Sequence, residues 1–433
     1  MNILLGMPAT DLNQLIRNLS ERLIQAQSPI RILDAIKWDE SVAQQFFAAH
    51  CKQQPRVDTT YYNQIPLGYD PDTQRNLFRD IERDISRQLG SHPAGIMMSR
   101  MCREYCRVID MLEARGTKAF SQISTELYGS SNTGFHSGSA TLTDLGDVLD
   151  QALRNIDEHM FLESEPKIFT TADAISQLQT KLDKLFNDPK ARVQVIESDG
   201  IVADAAAGSD YIKLRKNAKF SQRDIQVLEV HEGWVHVGTT LNGALQPVCT
   251  FLSKGTPADT ITQEGLAVFI EVISFSSHPA RLRRIVDRIR AIRMVDQGAS
   301  FLDVFNALIT EGRNQHEAYS LTMRVFRGST PTGGAFAKDL VYAKGFIQVY
   351  NFIRIAVKQG KLSRIPLLFC GKLAIEDMRH ITQLVKEGVI VQPRYLPPPI
   401  IDLNALTAWM AFSNFLNRLD LKIVEQEFQH LLE

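Results

Sequence analysis

The stretch His231-Glu232-Gly233-Trp234-Val235-His236 places two imidazoles around a carboxylate, the ingredients of a zinc centre that carries its own general base. In the familiar arrangement the histidines are four apart on a helix and point the same way, while the glutamate after the first takes a proton from water. Here they are five apart. At about 100° per residue an ideal α-helix turns His236 roughly 140° away from His231, too far for one ion. The spacing therefore predicts a local π-bulge, the rare wide turn that concentrates at functional sites, with Gly233 accommodating the distortion. Without that turn, these are two ordinary histidines on a half-buried helix.

Two helices must position such a group. Ser221 with Asp224 three residues on is a capping-box start, and Ile225, Leu228 and His231 follow at three-residue intervals. A third ligand must come from elsewhere, and the next glutamate is Glu264, in Thr262-Gln263-Glu264-Gly265-Leu266-Ala267. Thr260 and Gln263 have capping-box spacing, and Leu266, Phe269, Ile270 and Ile273 make a core stripe. Glu264 lies on another face, beside the small Ala267, which lets this helix come close to the histidine helix. Glu271, one heptad on, is the competing ligand, and a solvated first-turn glutamate is the plain alternative for Glu264.

HExxxH followed by QEGLA resembles the microtubule-associated tyrosine carboxypeptidases and their bacterial relatives, the flavohemoglobin expression-modulating QEGLA-motif proteins. The likeness runs from about Glu126-Leu127-Tyr128-Gly129 through Arg324-Val325-Phe326-Arg327-Gly328 to Lys338-Asp339-Leu340-Val341-Tyr342, most of the chain. The resemblance implies a zincin-like metallopeptidase core with zinc held by His231, His236 and Glu264, and Glu232 activating water. Three such ligands leave a fourth zinc position, where the pKa of water falls to roughly 7. It also implies a peptide or protein C-terminus as the substrate. Holding a free carboxylate calls for a cation, and Arg324, Arg327 and Lys338 cluster in the second family-like block; arginine grips carboxylate through two parallel hydrogen bonds. Tyr342, on a helix face with Lys338, is placed to donate to a developing oxyanion. For each of these four, a salt bridge or a packed tyrosine is the competing role.

Composition sets the bounds. The 433 residues, 44% of them hydrophobic, suffice for a sizeable core in two or three domains. Forty-eight basic against 49 acidic residues provide no global field for nucleic acid or an anionic membrane. The locally basic run Arg281-Leu282-Arg283-Arg284 through Arg293 reads as a solvated helix face, with an acidic partner segment as the alternative. Five scattered cysteines fit reduced thiols, and neither a signal peptide nor an apolar run of membrane-spanning length is evident. The expected location is cytoplasmic.

Along the chain, helical periodicity dominates from Asp11 to about Arg115, and the Gly/Ser/Thr-rich stretch from Gly129 to Thr143, with His136, reads as a loop. Val193, Val195 and Ile201-Val202 flank Asp199-Gly200, a two-residue hairpin signal, and Tyr211-Ile212-Lys213-Leu214 adds a third strand. After Ser277-His278-Pro279 come helices at roughly 281–296, 301–311, 315–326, 338–358, 373–387 and 402–431, the last apolar enough to dock on the body. The expected fold is mostly α with a small antiparallel β-sheet, an α+β chain with a helical N-terminal lobe at 1–165 and a catalytic core with C-terminal helices at 166–433. The expected activity is that of a zinc-dependent carboxypeptidase; the alternative is a regulatory or binding protein whose metal site is structural or degenerate.

Overall fold

A computed structural model describes residues 8–135, 140–154, 156, 165–188, 192–199 and 204–432. His136 and the expected strand at Ile201-Val202 lie outside these. The chain is mostly helical. Of its long N-terminal helices, Ala9–Gln27 and Pro71–Leu89 each bury one stripe, such as Phe78, Ile81, Ile85 and Leu89 on the second, whereas Pro93–Glu113 is buried on most sides. Asp70 and Pro71 show why the second starts where it does: the Asp70 carboxylate accepts from the Thr73 N–H, and proline occupies the first turn, where its missing N–H costs nothing.

The strands are few. β1 (Phe169–Thr170) pairs antiparallel with β5 (Lys219–Phe220), while β2 (Gln194–Ser198), β3 (Ala205–Ala207) and β4 (Tyr211–Arg215) form a sheet in the order β2-β4-β3. The second sheet is mixed, not antiparallel throughout: β3 runs antiparallel to β4, but β2 runs parallel to it. A hairpin forms at Gly208-Ser209-Asp210, where the Gly208 N–H donates to the Tyr211 carbonyl, while Gly200 of the expected Asp199-Gly200 turn lies outside the described residues. β2 takes the other side of β4 because its outer edge is already held. The Gln179 side chain accepts from the Val195 N–H and donates to the Val193 carbonyl, both at 2.8 Å. β3 is left as the open edge.

Two apolar cores meet at the histidine segment. The larger runs from the N-terminal helices to Met410; the smaller gathers Leu178 and Leu182 with Val195, Ile212, Leu214, Ile225 and Val237. Val230 and Val235 point into the first core and Val237 into the second, so the segment between them is held from both sides.

The C-terminal helices follow the expected order, with differences at the end. The 402–431 segment breaks into Leu403–Leu416 and Leu421–Leu432. Leu406 and Met410 dock, but Trp409, Phe412 and Phe415 remain exposed, since the docked face is only one stripe wide. The arginine helix, Pro279–Asp296, is not a solvated face. Arg281 and Arg288, seven residues apart and hence on one side of the helix, have side chains only 13% and 12% exposed and look inward.

Candidate metal centre

The histidine segment is π-helical. Ser221 and Asp224 form the capping box that starts an α-helix at Gln222–Leu228, and the chain then widens into a π-helix over Glu229–Val237. The wide turn brings the His231 and His236 rings to 4.7 Å between centroids, at 83° to each other. Such a turn misaligns carbonyls, and here they are satisfied by side chains. Thr239 Oγ1 donates to the Val235 carbonyl at 2.6 Å, and the His236 carbonyl receives Thr240 Oγ1 at 2.7 Å and Lys372 Nζ at 2.9 Å. Gly233 serves a purpose beyond flexibility: a Cβ there would sit 2.5 Å from Cδ2 of the buried Leu182.

The glutamate helix spans Pro257–Ile273, capped by the box Thr256/Asp259 with Pro257 behind it, so it starts four residues before the expected Thr260. Thr260 and Gln263 are therefore interior. Gln263 works as a strut, its Oε1 accepting from Lys372 Nζ at 3.0 Å and lying 2.6 Å from Thr239 Oγ1. Lys372 thus spends its three donors on His236, Thr239 and Gln263, tying the π turn to the helix that carries Glu264. At its start, the helix is pinned to the helix Pro93–Glu113: Arg100 reaches Asp259 at 2.8 Å and also Asp377 at 2.7 Å. Gly265 makes its close approach to the helix Val341–Lys358, where a Cβ on Gly265 would overlap the Gly345 backbone. Tyr342 stands at the start of that helix, with Lys338 in the single turn just before it.

His231, His236 and Glu264 converge, their ligand atoms all within 4.8 Å of one another. Glu264 Oε2 lies 3.3 Å from His231 Nε2 and 3.4 Å from His236 Nε2, yet it is buried without a hydrogen bond of acceptable geometry. Those separations suit a shared ion: bonds of about 2.0–2.1 Å to tetrahedral zinc set ligand atoms about 3.3–3.4 Å apart. The donor set, two neutral nitrogens and a carboxylate oxygen, is also one that zinc accepts.

Glu271 does not join the group; it stands behind it. Its Oε1 is 2.5 Å from His231 Nδ1, directing Nε2 toward Glu264, and Arg281 holds the same carboxylate at 2.9 and 3.0 Å. A carboxylate on the far nitrogen fixes ring orientation and raises the basicity of a ligating histidine. Burial opposes charge on His231, but the adjoining carboxylates of Glu264 and Glu271 overcome it and push its pKa up to about 10. Burial pushes His236 down, and Glu264 is held well below the carboxylate range despite burial, by both histidines and the nearby Lys338. The surrounding carboxylates thus favour positive charge at this point.

A cleft of about 670 Å³ opens beside the group, with His231, Glu232, Arg288, Arg324 and Tyr342 in its wall. Glu232 Oε2 accepts from the Ala207 N–H of β3 at 3.1 Å, which aims the carboxylate. Arg324 grips Asp339 through two bonds of 2.7 and 2.8 Å. Arg327 is buried over the Phe336 ring, and its pKa is lowered by burial to about 10. Lys338 Nζ lies 3.6 Å from Glu264 Oε1. The Tyr342 ring stacks 6.3 Å from His231 with the Arg288 guanidinium 4.5 Å from its own centroid.

Sequence reasoning alone did not find Lys372, Arg288 or the second role of Glu271. The signal that was present is a repeat of seven, Glu264 to Glu271 and Arg281 to Arg288, which keeps each pair on one face of its helix. Lys372 sits in an irregular connection and carried no signal.

A mostly helical α+β chain with two imidazoles and a carboxylate gathered beside a basic cleft defines a group able to hold a metal ion. The profile of the family described as microtubule-associated tyrosine carboxypeptidase matches residues 44–418, and the chain belongs to that family. No curated protein matches it. No helix among the described residues is long and apolar enough to cross a membrane.

Proposed function

We propose that this chain is a zinc-dependent carboxypeptidase that removes a C-terminal residue, tyrosine by the family's description, from a peptide or protein. The observation that carries the reading is Glu264 Oε2, an orphaned buried carboxylate oxygen facing two imidazole nitrogens, with a base one residue after the first histidine. His231, His236 and Glu264 would hold the metal. Bound there, zinc supplies Lewis acidity, acidifying water and polarising an amide carbonyl.

The chain's own groups do the rest. Glu232, aimed by the Ala207 N–H, accepts a proton from water and returns it to the leaving amine, one carboxyl serving as base and then acid. The ring of Tyr342, in contact with His231 and Arg288, holds the phenol where it can donate to the oxyanion. An extended peptide entering the cleft meets β3, an edge strand whose outer Ala207 N–H is held by Glu232 and whose Ala205 backbone faces outward to meet it. Arg324, Arg327 and Lys338 act mainly by fixing Asp339, Phe336 and Glu264 around the substrate.

The test is metal content and peptide cleavage in one set of variants. His231→Ala, His236→Ala and Glu264→Ala are expected to lose zinc, while Glu232→Gln keeps zinc and loses cleavage of a free-ended peptide library read by mass spectrometry. Full zinc in all three ligand variants, or full cleavage by Glu232→Gln, ends the assignment.

A further inference from the structure

Two guanidiniums, Arg288 and Arg324, close on a single carboxylate, Asp339, and the charge of Arg327 acts on it from further off; Arg327 also has an idle Nε, but Arg288 and not Arg327 is in the cleft wall. Arg324 takes that carboxylate in both its forks. Arg288 is left with a 3.7 Å contact from Nε, and its Nη1 is buried without a hydrogen-bond partner. Arg281, Arg313 and Arg215 of the cleft wall are committed to Glu271, Asp287 and Asp204, Arg283 donates to the Leu153 carbonyl, and Arg284 is exposed to solvent, where its charge needs no partner. A nearly buried guanidinium with an idle donor is costly unless an anion completes it. Burial and the charge of Arg324 also act against Arg288, pulling its pKa below the ordinary arginine value.

The place of this cation matters as much as its charge. The Tyr342 ring neighbours both groups, 4.5 Å from the Arg288 guanidinium carbon and 6.3 Å from the His231 imidazole centroid. One residue of extended chain covers about 3.5 Å. The shared ring keeps Arg288 and His231 no more than about 11 Å apart, a gap that one residue with a polar contact at each end can cover. From these observations we infer that Arg288 is the anchor for the free α-carboxylate of the substrate's last residue, binding it with the donors that Asp339 leaves idle. This rests on the carboxypeptidase reading and makes Arg288, rather than Arg324, Arg327 or Lys338, the residue that measures where the chain ends.

The experiment compares zinc-loaded full-length wild type, Arg288→Ala and Arg288→Lys on paired peptide libraries with free and amidated C-termini, after checking equal zinc content and thermal melts. Wild type is expected to cleave free ends and spare amides. Arg288→Ala is expected to lose roughly 30- to 1000-fold in kcat/KM on free ends, mostly in KM, with little change on amides, the size expected when one partner of a buried charge pair is truncated. Arg288→Lys, which keeps the charge but not the fork, should fall between. An Arg288→Ala enzyme with wild-type KM and undiminished preference for free ends overturns the anchor while leaving the carboxypeptidase reading intact. Equal cleavage of both libraries by wild type overturns both, and cleavage of amides that depends on a terminal Asp or Glu assigns the cation to a side chain and overturns the anchor. Should Arg288→Ala fail to fold, calorimetry of zinc-loaded Glu232→Gln with N-acetyl-tyrosine and N-acetyl-tyrosinamide decides: binding of the acid alone supports the anchor, and equal binding refutes it.

Discussion

Replacing Glu271 separates what holds the metal from what holds the holders. The residue is fully buried, with one oxygen 2.5 Å from His231 Nδ1 and both oxygens on Arg281. Glu271→Gln keeps the volume and an acceptor but removes the charge that orients His231, and loss of such a partner typically costs 10- to 100-fold in metal affinity, about 1.4–2.7 kcal/mol. Glu271→Ala also strands the Arg281 guanidinium, which is 13% exposed, and an uncompensated buried charge costs about 3–5 kcal/mol. The two effects separate in the double variant Glu271→Met/Arg281→Met: apolar partners of similar length recover most of the folding stability and none of the zinc affinity. Zinc dissociation constants come from chelator competition and folding stability from urea titration of the apo proteins. Zinc affinity in Glu271→Gln within twofold of wild type refutes the idea that this carboxylate sets the imidazole.

Other perturbations follow from the same geometry. Lys372→Met removes three donated hydrogen bonds and leaves the His236 carbonyl and Gln263 less satisfied; a loss of about 2–4 kcal/mol in urea unfolding is expected, with weakened zinc binding. Gly265→Ala forces two helix backbones apart and should cost roughly 1–3 kcal/mol or more, seen as a lowered melting temperature, and an unchanged melt means the helices do not cross this closely. Adding zinc at about 100 times its dissociation constant should stabilise wild type by roughly 2.7 kcal/mol and leave His231→Ala unmoved. Burial opposes ionisation of Asp339, but the charges of Arg324 and Arg288 more than offset it and hold its pKa well below the ordinary carboxylate value. A depressed carboxylate contributes stability that is present above the unfolded pKa of about 3.9 and lost as pH falls below it. Asp339→Asn should therefore be less stable at pH 7 yet show a shallower decline between about pH 5 and 3, by urea unfolding.

Much of this site was legible before any fold was known. A five-residue histidine spacing leaves a straight helix no way to bring both rings to one point, so the letters made a π turn the condition for a shared site, with Glu264 or Glu271 as partner; the π-helix spans Glu229–Val237, and Glu264 is the carboxylate that converges with both rings. The helical periodicities were equally plain, because burial of one stripe repeats every three to four residues whatever the stripe packs against. Strand pairing was not: Asp199-Gly200 looks like a turn, but which neighbour β2 takes depended on Gln179 of a separate helix capping its edge.

The sequence by itself determined the chemistry on offer, two imidazoles, a base and a carboxylate, together with the helices that carry them, since these depend on short spacings along one chain. Only the tertiary structure decided which charges are spent and which remain. Arg324 is consumed by Asp339, Arg281 by Glu271 and Lys372 by the π turn, while Arg288 keeps a donor to spare. Ion pairing depends on distances of a few ångströms between residues far apart in sequence, and no local pattern encodes those.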